Sequence, residues 1–134
     1  MTYDYQNLLN QAQKAADSSY VPYSQVKFGV SLLCNDNSIF CGSCVEIANY
    51  GSSIDPVGVA VGQAILNGNT NFLAMAIYPE LILSGSSRQI LVEFNPNLEI
   101  IYYDYNHNVK NTKLINLLPN FFGPKDLKID KTST

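Results

Sequence analysis

Cysteine and histidine are scarce in this chain: three of one and a single copy of the other among 134 residues. An odd, small cysteine count (Cys34, Cys41 and Cys44) excludes a disulfide framework and fits a reducing compartment. With His107 as the lone imidazole, no His-rich metal site and no His-based triad is readable. Basic clusters are also missing. The formal charge is −3, and lysines such as Lys14, Lys27, Lys110 and Lys125 are scattered, so the chain carries no electrostatic footprint for nucleic acid. No apolar run reaches the length of a membrane span. The opening MTYDYQNLLNQAQKA has neither a basic stretch nor a continuous apolar one, so no signal peptide is expected, and the expected location is cytoplasmic.

What remains is an ordinary globular composition, 46% apolar, at a length that suits one domain with its own core. Residues 3–17 carry Tyr5, Leu8, Leu9, Ala12, Ala15 and Ala16 at helical spacing, with Thr2 as the expected N-cap and Asp4 in the first turn. Residues 26–34 read as a strand, Asn35-Asp36-Asn37 as a tight turn, and Ser38–Cys44 as the hairpin partner. Residues 57–67 read as a helix with Val57, Ala60, Val61, Ala64 and Ile65 on one side, ended by Gly68-Asn69. The apolar run 71–78 predicts a central strand buried on both faces. A helix over 85–94 and strands over 98–103 and 109–115 follow, then a docked loop or short helix. A single domain over 1–127 is expected, with 128–134 as a frayed tail. The order predicts an α/β protein: a three-layer α/β/α sandwich around a mixed five-stranded sheet.

Four segments, in this order and spacing, carry a family resemblance. They are Tyr20-Val21-Pro22-Tyr23-Ser24 entering a strand with Gly29; Val45-Glu46-x-Ala48-x-Tyr50-Gly51; Arg88-Gln89 followed by Glu93-Phe94; and Leu117-Leu118-Pro119 before Phe122-Gly123-Pro124 and Leu127. Over roughly residues 5–127 the chain resembles the small cytidine deaminases. The resemblance implies a zinc held by three thiolates at the starts of two helices, a Cys-Ala-Glu motif opening the first and a Pro-Cys-x-x-Cys motif the second. The metal activates a water and the Glu moves protons. It also implies homotetramers whose sites are shared between subunits.

The motif positions depart from that pattern. Asp55 stands where the resemblance puts the first Cys and Val57 where it puts the Glu; Ser84 and Ser87 stand at the other two cysteines. Asp55-Pro56 and Ser84 read instead as helix starts: an N-cap with proline at the first helical position, and a second N-cap. On the ligand side, the resemblance assigns a pyrimidine-stacking Phe to Val26 and a ribose-binding Asn-x-Glu to Cys44-Val45-Glu46, and it brings Phe122 to the site. Cys41-Gly42-Ser43-Cys44 is a C-x-x-C, readable as a metal or redox pair but more simply as two semi-buried thiols.

Water bound to zinc has a pKa near ~7 against ~15.7 when free, so losing the metal removes about eight orders of magnitude of hydroxide. The expectation is therefore a zinc-free, cofactor-free and catalytically inactive relative that acts as an oligomeric interaction or regulatory protein, with a homotetramer as its assembly and an active deaminase subunit as a candidate partner. The alternatives are a nucleoside- or nucleotide-binding module and an enzyme with new metal-free chemistry in the old cleft.

Overall fold

The computed structural model describes residues 3–127. The helix α1 (Tyr5–Asp17) is capped by Asp4, whose carboxylate accepts from the Asn7 backbone N–H at 3.1 Å. Asp4 thus sits one step outside the helix rather than in its first turn, and Thr2 lies outside the described residues. The hairpin of β1 (Gly29–Cys34) and β2 (Ile39–Ser43) is antiparallel, with Gly29 opposite Ser43 and Leu33 opposite Ile39. The first strand begins at Gly29 rather than Val26. Val26 has its N–H taken by the Ser24 hydroxyl and is left 55% exposed, so it belongs to the preceding loop.

Helix α2 (Pro56–Leu66) starts at Pro56, with Asp55 as its cap. Its buried face is Pro56, Val57, Ala60, Val61 and Ala64; Ile65, expected on that face, is exposed. The strand β3 (Phe72–Tyr78), helix α3 (Gly85–Val92), strands β4 (Glu99–Tyr103) and β5 (Val109–Lys113), and the single turn α4 (Pro124–Leu127) complete the chain. The expected frayed tail, 128–134, lies outside the described residues.

The sheet order is β2-β1-β3-β4-β5, with β3 parallel to β4 and every other pairing antiparallel. β3 occupies the centre and is buried on both faces. Met75 and Ile77 face a core shared with Val57, Ala60, Leu91 and Leu98, while Ala74 and Ala76 face Leu8, Leu9 and Ala12 of α1. The mixed five-stranded sheet therefore lies between α1 on one side and α2 with α3 on the other, as the element order implied. The small residues on the α1 side let that helix approach closely. A Cβ added to Gly29 would stand 2.4 Å from the Ala16 backbone nitrogen.

Candidate functional site

A cavity of 330 Å³ opens between the loop before β1, the segment after β2 and the start of α2. Its apolar wall is Val21, Val26, Phe28 and Ile54; its polar groups include Ser24, Cys44, Glu46, Tyr50, Ser53 and Asp55. Four backbone hydrogen bonds build it. Tyr20 donates its N–H to the Cys44 carbonyl at 2.9 Å, and Glu46 donates its N–H to the Tyr20 carbonyl at 2.8 Å. Val45 and Ile54 exchange both backbone hydrogen bonds, at 3.1 and 2.8 Å. The loop and the start of α2 are thus stitched to the end of the hairpin, which makes the cleft a product of backbone pairing rather than of side-chain packing alone.

Glu46 is fixed by its environment. Its Oε1 accepts the backbone N–H groups of Tyr23 and Ser24, both at 2.8 Å. The Ser24 N–H foremost, then the Ser24 hydroxyl and the Tyr23 N–H, holds the carboxyl below its ordinary value, so Glu46 stands ionised in the cleft. Cys44 lies between the two carboxylates. Its thiol donates to the Phe28 carbonyl at 3.3 Å, and burial pushes it up to about 11, with the charges of Asp55 and Glu46 adding to the effect. It is therefore a protonated, non-nucleophilic thiol at neutral pH.

At the start of α2, Asp55 Oδ1 accepts the Val57 N–H at 2.9 Å. Val57 itself is 1% exposed and packs into the core, so it touches no ligand. At the start of α3, Ser84 Oγ accepts the Ser87 N–H at 3.0 Å and donates to Ser87 Oγ at 3.0 Å. Neither serine lines the cavity. Arg88 anchors the chain behind them through the carbonyls of Leu83 and Leu117, at 3.1 and 2.9 Å. The structure thus brings Asp55, Cys44, Val26 and Glu46 together and leaves Val57, Ser84, Ser87 and Phe122 out. Phe122 is 62% exposed, with its carbonyl held by the Gln89 amide at 2.7 Å.

The members of the C-x-x-C face different surroundings. Cys44 opens on this cleft, whereas Cys41 lines a second one beside Gln11, Lys14 and Gln63. Sequence reasoning missed Ser24, Phe28, Tyr50 and Ser53 as lining residues. The first and third lie inside the segments that carried the resemblance, which was the available signal. Phe28 lies two positions beyond Val26, so the aromatic side chain of this wall enters from the end of the loop rather than from its middle.

Fold and cleft define a class: a three-layer α/β domain with a cleft of small-molecule size where a helix begins beside a hairpin. Residues 1–79 match the family model described as the cytidine and deoxycytidylate deaminase zinc-binding region, and the chain belongs to that family. Among its relatives, the cytidine deaminase of Sporosarcina psychrophila is 28% identical over 92% of this chain and 95% of its own length. That of Mycobacterium tuberculosis H37Rv is 31% identical over 92% of this chain and 93% of its own. Among solved structures, the cytidine deaminase of Burkholderia pseudomallei superimposes with a TM-score of 0.81 at 31% identity, covering 91% of this chain and all of that one.

These comparisons overturn the expectation of an inactive regulatory protein. The relatives and the structural neighbours are cytidine deaminases, and nothing among them shows loss of activity. The zinc that the family description names is a separate question, and the residues here do not fit it. Of the three positions that the resemblance assigns as ligands, Asp55 is engaged as a cap and the two serines are neutral hydroxyls bonded to each other. Zinc takes thiolate, imidazole or carboxylate, and one carboxylate does not hold it. Among the described residues no group of three His, Cys, Asp or Glu side chains is arranged to hold a metal ion.

Proposed function

We propose that this member of the cytidine deaminase family takes a cytidine-type pyrimidine nucleoside in the cleft between Glu46 and Asp55. The observation that carries the reading is Glu46: a carboxylate held rigid by two backbone N–H groups at the mouth of a 330 Å³ cavity. Its second oxygen, Oε2, suits a hydroxyl donor of a sugar. Phe28 and Val26 supply an apolar wall suited to the faces of a planar base. Cytidine is the compound named by the relatives' activity, and its size suits a cavity of this class.

The proposal extends to assembly and place. Ile65, Leu66 and Phe122 are 48%, 86% and 62% exposed, apolar side chains suited to a contact between copies; the assembly proposed is a closed homo-oligomer, a tetramer, and the place proposed is the cytoplasm. In such an assembly Phe122 would complete the cleft of an adjoining copy. Among the described residues no helix is long and apolar enough to cross a membrane.

The test is a nucleoside panel by isothermal calorimetry, with cytidine turnover followed by chromatography on the same samples, with and without chelator. Saturable binding of cytidine that Glu46→Ala weakens supports the reading. A protein that binds no pyrimidine nucleoside at millimolar concentration overturns it.

A further inference from the structure

The cleft contains two carboxylates and no lysine, arginine or histidine. In each carboxylate one oxygen is committed to backbone N–H groups: Glu46 Oε1 to Tyr23 and Ser24, and Asp55 Oδ1 to Val57. Three of the other polar lining groups, Ser24, Ser53 and Cys44, are engaged within the chain. Ser24 Oγ accepts the Val26 N–H at 3.1 Å, Ser53 Oγ bonds both backbone groups of Ile47 at 3.0 and 3.4 Å, and the Cys44 thiol donates to Phe28. Among the described residues no donor reaches Asp55 Oδ2. An acceptor-only group with one oxygen uncommitted thus stands at the wall of an apolar-sided cavity, its orientation locked by its role as helix cap and by Pro56 behind it.

We infer that Asp55 is a specificity-determining residue that accepts a hydrogen bond from the exocyclic amine of the base, so that the cleft selects amino- over oxo-pyrimidines. The inference rests on the nucleoside reading above. Its chemistry is a matching of donors to acceptors. Cytosine presents an amine donor at the position where uracil presents a carbonyl acceptor. Against Asp55 the amine makes a charge-assisted hydrogen bond, while the carbonyl sets acceptor against acceptor and leaves a carboxylate oxygen desolvated and unpaired. Ser84 and Ser87 line no part of the cavity, so neither of their hydroxyls is at hand to donate to a carbonyl instead. The residue that disqualifies this position as a thiolate ligand gives it a means of reading the base directly.

The test compares cytidine with uridine by calorimetry on the full chain, with recovered nucleoside checked by chromatography. Wild-type protein is expected to prefer cytidine by roughly 10- to 100-fold, the weight of one hydrogen bond to a charged group. Asp55→Asn keeps the cap, because asparagine caps as well as aspartate. Its amide oxygen takes the Val57 N–H and its NH2 turns to the cleft, so the preference should collapse or reverse towards uridine. Asp55→Ser also keeps a cap and should bring the ratio near unity. Glu46→Gln should weaken both nucleosides without altering their ratio. Retention of the wild-type ratio in both Asp55 variants, equal binding of the two nucleosides by wild type, or collapse of the ratio in Glu46→Gln alone overturns the inference. Absence of any nucleoside binding overturns the underlying reading instead.

Discussion

Gly42 of β2 lies directly beneath Pro56 of α2: a Cβ built on the glycine would stand 1.9 Å from the Pro56 carbonyl oxygen and 3.0 Å from the Ala60 nitrogen. The start of α2, which carries Asp55, is thereby seated on bare backbone of the edge strand. Both atoms are main chain and cannot swing aside, unlike the end of a flexible side chain.

Gly42→Ala should therefore destabilise the fold by about 3 kcal/mol, at the upper end of overpacking, since relief requires moving the helix. Displacing the helix start would also move Asp55, so ligand affinity should fall in the same variant under conditions where it remains folded. Urea unfolding and calorimetry check both. A variant with wild-type stability would show that the helix is free to lift from the strand.

Gly62 has the opposite character. A Cβ there meets nothing within 4 Å, and the residue lies on α2 near exposed Ile65 and Leu66. Glycine inside a helix costs about 1 kcal/mol relative to alanine, so Gly62→Ala should stabilise the isolated fold by that amount. If α2 meets another copy through this face, the added methyl should at the same time loosen the oligomer. The expected outcome is a rise in unfolding free energy together with a shift to smaller species in light scattering. A monomeric wild-type protein at micromolar concentration would contradict the proposed assembly.

The fold was legible because its signals are periodic and local. Apolar spacing located α1 and α2, and the continuous run ending at Tyr78 identified the central strand. Asp55-Pro56 and Ser84 announced helix starts, and the backbone N–H groups of Val57 and Ser87 do go to those side chains. What was not legible depends on orientation in space. Ile65 shares helical spacing with Ala60 and Val61 yet points outward, because the buried arc of α2 is narrower than its apolar arc. Val26 looked like a strand residue by composition, but a side-chain hydroxyl takes its N–H and leaves it in a loop. Cys41 and Cys44 are close in sequence and open on separate clefts, a distinction that the C-x-x-C spacing does not contain.

Acid should act on the far side of the sheet from the cleft. Glu99 accepts from the hydroxyls of Tyr3 and Tyr5 and from the Asn111 amide, tying the start of α1 to β4 and β5. Burial alone would lift its carboxyl, but the Tyr3 and Tyr5 hydroxyls and the Asn111 amide outweigh it and hold the group below its ordinary value. A carboxyl depressed in the folded state contributes stability above its unfolded pKa and loses it as pH falls through the folded one. Stability should thus decline as pH falls below the ordinary glutamate value of about 4.3, and Glu99→Gln should be less stable at neutral pH with a flatter acid limb. Urea midpoints across that range decide it; an unchanged acid limb in the variant would assign the decline to other carboxyls.

The two helix caps make the zinc question measurable without reference to turnover. Asp55→Ala and Ser84→Ala each remove a side-chain acceptor from a helix N-terminus and should each cost about 1 kcal/mol, whether or not metal is supplied. If zinc were held at this place, its removal by chelator would unfold or loosen the wild-type protein, because a metal bound only by the folded state adds its binding free energy to stability. The expected result is a wild-type unfolding curve that does not move with zinc or chelator. The combination Asp55→Cys, Ser84→Cys and Ser87→Cys should behave differently. It gives up the caps and is less stable without metal, but three thiolates at the positions that the resemblance assigns to the ligands form a donor set that zinc favours, so the variant should take up about one equivalent and regain stability with it. Elemental analysis after desalting, with unfolding curves at each metal level, reads both arms. Stoichiometric zinc on the wild-type chain would overturn the reading that Asp55, Ser84 and Ser87 hold no metal, or would place the metal on other residues.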